Sequence, residues 1–300
     1  MGKVAKRGGR VKKLGAISLQ FIAACVGIII FGALPSLFIA QGTGESHIGL
    51  FIDTLASIIN SLIHFNEITF EIKGVEYQVY KYIFEGAFYS LTLIICALLL
   101  AYIIAILLTF LTMQFPKWLR EKIKLAILFF ESLPDILVIL LLQLLIIMFY
   151  KKTDILLMKV VTVGDSQAYL LPIICLAILP TIQLYRMTIH LYEEELLKDY
   201  VLLTRAKGIH HTIILWKHIL RNTVVSLFFH LKQTIWFMLS TLVVVELLFN
   251  VFGITYYLTT YMIPEVFTFI LLFLFVPIFV FYHLVKIIIE KTVKGGEALT

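Results

Sequence analysis

Charged side chains are scarce in this sequence. Only 15% of its 300 residues are Asp, Glu, Lys or Arg, whereas 61% are hydrophobic. Soluble domains average about 25% charged and about 45–50% apolar residues. The composition therefore excludes an ordinary soluble protein and indicates an integral membrane protein.

Cysteine is also scarce, and the usual motifs of metal and nucleotide binding are missing. The three cysteines each lie inside an apolar run, which excludes a disulfide framework: Cys25, Cys96 and Cys175. His210, His211 and His218 have no fourth ligand at a suitable spacing, so no metal site is expected. No G-x-x-x-x-G-K-[ST] phosphate loop occurs, and the chain should bind neither ATP nor another cofactor itself.

Long apolar runs are abundant, and six of them reach the roughly 20 residues that a bilayer requires. They cover residues 14–40, 86–114, 125–150, 167–187, 233–251 and 266–289. Lipid cannot satisfy backbone polar groups, so each run should be helical. The sequence therefore predicts an all-α integral membrane protein with six transmembrane helices. The third span contains Glu131 and Asp135, and the fifth contains Glu246.

Positive charge is distributed unevenly between the segments that connect these spans. With the N-terminus in the cytosol, the inner segments hold twenty Lys and Arg residues and the outer ones hold five. The positive-inside rule then predicts a multi-pass membrane protein with both termini cytosolic. The first span follows a basic cytosolic tail, residues 1–13, and is too long for a cleaved signal peptide. This distribution accounts for the net charge of +6 without a nucleic-acid partner.

The first outer segment, residues 41–85, is too long for a simple turn. Within it, the sequence ITFEIKGVEYQVY alternates apolar and polar residues around Lys73 and Gly74, which is typical of a β-hairpin. Several acidic residues make the segment negative. It is interpreted either as a structural cap or as a docking surface for an external partner.

The most polar part of the chain is the cytosolic loop between the fourth and fifth spans, residues 188–232. Leu196, Tyr200 and Leu203 recur at helical spacing, which predicts an amphipathic helix that starts at the glutamates 193–195. Gly208 follows as the expected left-handed C-terminal cap. A second amphipathic piece, 209–220, leads back to the membrane. The pattern alone fits a helix resting on lipid or an element that docks into a soluble partner.

The same loop carries a recognisable motif: Asp199-Tyr200-Val201, Arg205-Ala206-Lys207-Gly208, His218 and Arg221-Asn222. It resembles the cytosolic signature of ABC-importer permeases, and above all that of the oligopeptide/dipeptide family of binding-protein-dependent inner-membrane components. Flanking matches are Arg186, the Ser-Leu-Pro of 132–134, and Glu246 with Gly253. The resemblance runs from residue 86 onward. Ser226 and Phe252 stand where the family usually has proline, so the chain resembles a divergent member.

The resemblance implies a type I ABC-importer permease fold, with a permease core at residues 86–300. It also implies a second homologous permease subunit, an extracytoplasmic substrate-binding protein and two cytosolic ATPases that use ATP and Mg²⁺. The loop would be the coupling helix that sits on an ATPase. The residues it implies for coupling are Leu196, Asp199, Tyr200, Leu203, Arg205, Ala206, Lys207, Gly208, His218, Arg221 and Asn222.

The substrate and the three intramembrane acids are less sharply defined. The resemblance favours peptides, although related permeases carry nickel chelates, and the alternative class is a polytopic membrane enzyme or scaffold. Glu131 and Asp135 are spaced i, i+4 and would either face the substrate pathway or pair with a base such as Lys124. Glu246 lies near the outer end of the fifth span, where a structural or gating role is expected.

Overall fold

The computed structural model describes residues 2–39, 47–65, 69–72, 75–164, 166–260 and 263–297, and within these the chain is predominantly helical. The helices are α1 (Gly2–Ala33), α2 (Ser36–Ile39), α3 (His47–Ile63), α4 (Val79–Met113), α5 (Lys117–Glu131), α6 (Asp135–Thr153), α7 (Leu170–Glu195), α8 (Asp199–Ala206), α9 (His211–Ile213), α10 (Leu220–Leu248), α11 (Ile254–Thr260) and α12 (Pro264–Glu297). A π-helical segment, Ile214–Ile219, joins α9 to α10.

Six helical stretches of the described residues are long and apolar enough to cross a membrane. They are Gly15–Phe38, Lys81–Met113, Asp135–Thr153, Leu170–Glu195, His211–Leu248 and Pro264–Ile289. The predicted all-α fold with six transmembrane helices is confirmed.

The third span is shorter than predicted, because the apolar run 125–150 is broken in the middle. Pro134 is extended, with φ −60° and ψ 139°, and α6 begins after it. Proline lacks the N–H that a helix interior needs, and it disfavours helical geometry in the residue before it. The run is therefore divided between α5 and α6, and Glu131 and Asp135 lie on different helices instead of sharing one face.

The chain divides into two compact units, and the first comprises Met1–Ala87 and Tyr257–His283. In it, α3 packs against α1 and α12: Ser57 donates a 2.6 Å hydrogen bond to Glu265 of α12, and Ile58 lies 3.7 Å from a Cβ built at Gly32 of α1. The outer segment also contains two antiparallel strands, β1 (Thr69–Ile72) and β2 (Val75–Gln78), with Phe70 opposite Tyr77. The predicted turn at 73–74 lies outside the described residues, as do residues 40–46 and 66–68.

The second unit comprises Phe88–Tyr256 and Leu284–Thr300. Its core is formed by α7 and α10, which contribute the fully buried side chains of Leu176, Tyr185, Met238 and Leu242. Both helices extend beyond the apolar runs that predicted them. They take up the ends of the predicted loop 188–232 and leave a shorter connection, residues 196–219, which we call the α7–α10 loop.

Candidate functional site

The α7–α10 loop begins with a sharp turn instead of the predicted continuous helix. The glutamates 193–195 end α7, and the next helix, α8, starts only at Asp199. Between them Lys198 is extended, with ψ 148°, and occupies the N-cap position of α8 without a side-chain capping bond. Leu196 is half-buried at the end of α7, whereas Leu197 is exposed. The prediction that the three glutamates form the first turn of the amphipathic helix is wrong, because they are part of α7. The acidic residue in the first turn of α8 is Asp199.

A polar cluster ties this loop to both flanking helices. The Tyr200 hydroxyl donates a 2.5 Å hydrogen bond to Glu195 Oε2, and Asn222 Nδ2 donates to the same oxygen and to Tyr200, each at 3.3 Å. Lys198 completes the cluster with an ion pair to Glu195. Burial and the bond to Glu195 raise the pKa of Tyr200 well above its usual value, so its hydroxyl remains a donor. Tyr200 and Asn222, two predicted coupling residues, thus brace the loop from within.

The outward surface of α8 combines apolar and cationic side chains. Val201 and Thr204 are buried against the chain, whereas Leu202 and Leu203 are exposed, Leu203 by 59%. Arg205, Ala206 and Lys207 are exposed as well, and no ion pair in the described residues involves them. The apolar face expected to contact a partner is therefore divided. Tyr200 makes its contacts within the chain, whereas the side chain of Leu203 is exposed.

Gly208 ends α8 in the left-handed conformation predicted for it, with φ +74°. Its N–H donates to the Arg205 carbonyl at 2.9 Å, and the Ile209 N–H donates to the Thr204 carbonyl at 3.4 Å. These two bonds form a Schellman motif, which satisfies the last carbonyls of a helix. A Cβ built at Gly208 would meet nothing within 4 Å. Within this chain the glycine is required by its backbone angle alone, and the space beside it is open.

The rest of the loop returns to the bundle through the π-helical segment. His210 occupies the N-cap position of α9, where its ring accepts a 3.3 Å hydrogen bond from the Thr212 N–H. Ile214, Leu215 and Ile219 are fully buried. Two further coupling candidates, His218 and Arg221, are half-buried and exposed, respectively. Single π turns inside helices are frequent at functional sites, and this one lies within the predicted motif.

A cavity of about 640 Å³ lies beside the first half of α10, lined by α5, α7 and α10. Glu131 lines it and pairs with Arg186 at 3.1 Å, while the other carboxylate oxygen, Oε2, is buried with no hydrogen-bond partner among the described atoms. Gln183 and Gln233 add neutral polar groups to the wall. Arg186, not Lys124, is therefore the base that Glu131 pairs with, and the pair stands in a cavity.

A second ion cluster lines the same cavity. Lys124 donates to both oxygens of Glu193 at 2.6 and 2.7 Å and to Glu121 at 3.2 Å. Burial lowers the pKa of Lys124, but the contacts with Glu193 and Glu121 outweigh this effect and raise the pKa above its ordinary value. The ammonium therefore stays charged. The cluster joins α5 to α7. Sequence reasoning missed Glu193 because it stood in a run of three glutamates with no sign of which one turned inward.

The other two intramembrane acids lie elsewhere. Asp135 accepts a 2.6 Å hydrogen bond from the Thr241 hydroxyl of α10, and it does not line the cavity. Its position in the first turn of α6 also favours a negative charge. The structure thus separates Asp135 from Glu131, and its contact joins two helices.

Glu246 is only 2% exposed, and it holds the connection after α10 in place. Its carboxylate accepts hydrogen bonds from the Ser90 hydroxyl and from both the N–H and the hydroxyl of Thr255. Ser90 in turn accepts a 2.8 Å bond from the Ile254 N–H. A Cβ at Gly253 would overlap the carboxylate, so only glycine allows this approach. The arrangement accords with a structural role. The motif indicated Glu246 and Gly253, but nothing in the sequence indicated Ser90.

Comparison with known families identifies one match. A model of the family described as binding-protein-dependent transport system inner membrane component matches residues 97–294, which is 198 of the 300 residues. The matched stretch includes the α7–α10 loop, the cavity and Glu246. A search of curated proteins finds no significant match.

Proposed function

Since the chain belongs to the family of binding-protein-dependent transport system inner membrane components, we propose that it forms half of the translocation pathway of an ATP-driven importer for peptides. Membership and the six apolar helices make it a multi-pass permease subunit of an ABC transporter, which works with a second permease and with ATPases. The proposal adds the direction of transport, the substrate, the coupling site and a substrate-binding protein outside the membrane.

The coupling site proposed is the outward surface of α8 with Gly208. The observation that supports this site is that hydrogen bonds hold one side of α8 to its own chain while the other side is exposed. Tyr200 and Asn222 fix the loop to Glu195, while Leu203, Arg205 and Lys207 remain available to a partner. A segment that transmits force must be rigid toward its own subunit and open toward the other. An apolar anchor flanked by cations suits a groove with acidic rims on a soluble ATPase.

The side of the membrane on which the loop lies is inferred from the distribution of positive charge. Twenty Lys and Arg residues lie in the segments on the side of the α7–α10 loop, against five on the opposite side. By the positive-inside rule, this distribution supports our proposal that the loop and both termini lie in the cytosol of a bacterial cell. ATP is found there, and closure of two ATPases would bring two such loops together and switch the helices between two packings.

Peptides are proposed as the substrate because of the motif and of the groups in the cavity. Glu131 offers an unpartnered carboxylate oxygen, which suits a peptide amino group, and Arg186 suits a carboxylate. Gln183 and Gln233 can bond a peptide backbone. Uptake of labelled short peptides into vesicles, with a nickel chelate as the competing cargo, tests this part. Uptake of the chelate and no peptide would reject the peptide assignment without touching the coupling site.

The coupling site is tested by Gly208→Asn in the reconstituted transporter. Asparagine tolerates the left-handed conformation, so the α8 cap should persist while a side chain enters the space beside it. Transport should be lost, and ATP hydrolysis should no longer respond to substrate.

The matched control is Gly164→Asn, because Gly164 also has positive φ (+57°) and no atom within 4 Å of a built Cβ. That variant should transport as the wild type does. Normal coupling in Gly208→Asn, or equal loss in both variants, would reject the assignment of this loop as the ATPase dock.

A further inference from the structure

Helix α3 has three distinct faces. One is an isoleucine stripe, which we define as the side chains exposed by 49% to 69%: Ile48, Ile52, Ile59 and Ile63. The second is a polar stripe: Asp53, Ser57 and Asn60. The third face packs on the other helices of the first unit through Ile58, which is fully buried. At 3.6 residues per turn, the isoleucine and polar stripes are centred about 120° apart, so each faces a different environment.

The contacts of α3 fix its level relative to the spans of its own unit. Ile58 packs at Gly32, near the end of the first candidate span, Gly15–Phe38. Ser57 donates a hydrogen bond to Glu265. The ring of Phe65, just after α3, stacks on that of Phe269 with 6.3 Å between the ring centroids. Glu265 and Phe269 lie in the first two turns of the span Pro264–Ile289. Helix α3 therefore lies where these two spans reach the membrane boundary.

The first candidate span also exposes apolar side chains at the end that contacts α3. At the same end of the first span, Ile30, Phe31, Leu34 and Phe38 are all exposed apolar side chains. A transmembrane helix presents such residues to lipid. Helix α3 has only 17 residues, fewer than the roughly 20 needed to cross the hydrocarbon core. An amphipathic helix too short to span, at the boundary level and beside a lipid-facing surface, has the features of an interfacial helix.

We propose that α3 lies in the membrane interface and buries its isoleucine stripe among lipid acyl chains. Asp53 and Asn60 of the polar stripe then face the head groups and water, while Ile58 and the bond from Ser57 to Glu265 anchor the helix to α1 and α12. The occupant of the stripe is lipid, not a protein. This inference depends only on the membrane location and stands whether or not the coupling site and the peptide substrate are as proposed.

The test measures depth at adjacent residues. The three cysteines are replaced by alanine, and single cysteines are introduced at Ile59 and at Asn60, labelled with an environment-sensitive fluorophore in the assembled transporter in lipid nanodiscs. Brominated lipids should quench the label at 59 about two- to threefold more than the label at 60, as for an apolar face within the acyl boundary. A water-soluble quencher should show the reverse order. Ile52 and Asp53 provide a second such pair, in case one labelled variant fails to assemble.

Two results would overturn the proposal. Equal quenching by brominated lipid at both members of the two pairs would mean that the stripe does not enter the bilayer. Protection of the isoleucine positions only after a substrate-binding protein is added would mean that a protein covers the stripe. Preferential lipid quenching that is unchanged by that protein supports the inference.

Discussion

A single methyl group at Gly253 should displace the buried carboxylate of Glu246. In Gly253→Ala the new Cβ would overlap that carboxylate, so the Glu246 side chain must retract. On retracting it loses contact with the Ser90 hydroxyl and with the two donors of Thr255, whose N–H now lies 2.9 Å away. Gly253 has no positive φ, so the effect is steric and not a backbone strain.

The expected cost follows from the bonds that are lost. A hydrogen bond to a charged group contributes about 1.5–3 kcal/mol. Loss of any two of the three would therefore destabilise the protein by about 3 kcal/mol or more, and loss of the third adds to this. We expect a clear fall in the free energy of unfolding, measured by denaturant titration of the purified protein in mixed micelles.

Two comparisons make the measurement specific. Gly27→Ala should be neutral or stabilising by up to about 1 kcal/mol, because Gly27 is helical and a Cβ there meets nothing within 4 Å. Glu246→Gln combined with Gly253→Ala should cost less than the sum of the two single changes, since both act on one network. A free energy for Gly253→Ala within about 0.5 kcal/mol of the wild type, or strict additivity, would refute the steric reasoning.

Two further substitutions test single hydroxyl groups. Tyr200→Phe should destabilise the chain by about 1–2 kcal/mol, because Glu195 loses a donor; Tyr192→Phe is its control, since the Tyr192 hydroxyl is buried with no partner among the described atoms and its loss should cost nothing. Equal effects in the two tyrosine variants would contradict the bracing role. Thr241→Val should cost about 1 kcal/mol by removing the donor to Asp135, and unchanged denaturation would show that this bond contributes nothing between α6 and α10.

The sequence predicted the membrane-spanning elements well because their signal is local. Six apolar runs gave six helices, and the main error arose at residues 132–134, where apolar composition continued through a proline that ends the helix. Hydropathy measures transfer to lipid and takes no account of backbone geometry. The Ser-Leu-Pro match lies at this break, yet the sequence did not predict its structural consequence, the separation of Glu131 from Asp135.

The candidate site was only partly predictable because its parts depend on distant contacts. Gly208 was identified from the glycine after a helical pattern, a local signal. The inward turn of Tyr200 depends on Glu195 and Asn222, which the chain brings together across the loop. Helical spacing placed Tyr200 and Leu203 on one apolar face. Spacing alone could not show that one of them is used within the chain and the other is open.

The most direct test of the coupling site is a photo-crosslink from α8. A benzoylphenylalanine replaces Leu203, which is 59% exposed, and in the control it replaces Leu247, which is 78% exposed at the opposite end of α10. Irradiation of the assembled transporter should join the ATPase to the first variant and not to the second. No ATPase adduct at 203, or an equal adduct at 247, would contradict the docking of the α7–α10 loop on the ATPase.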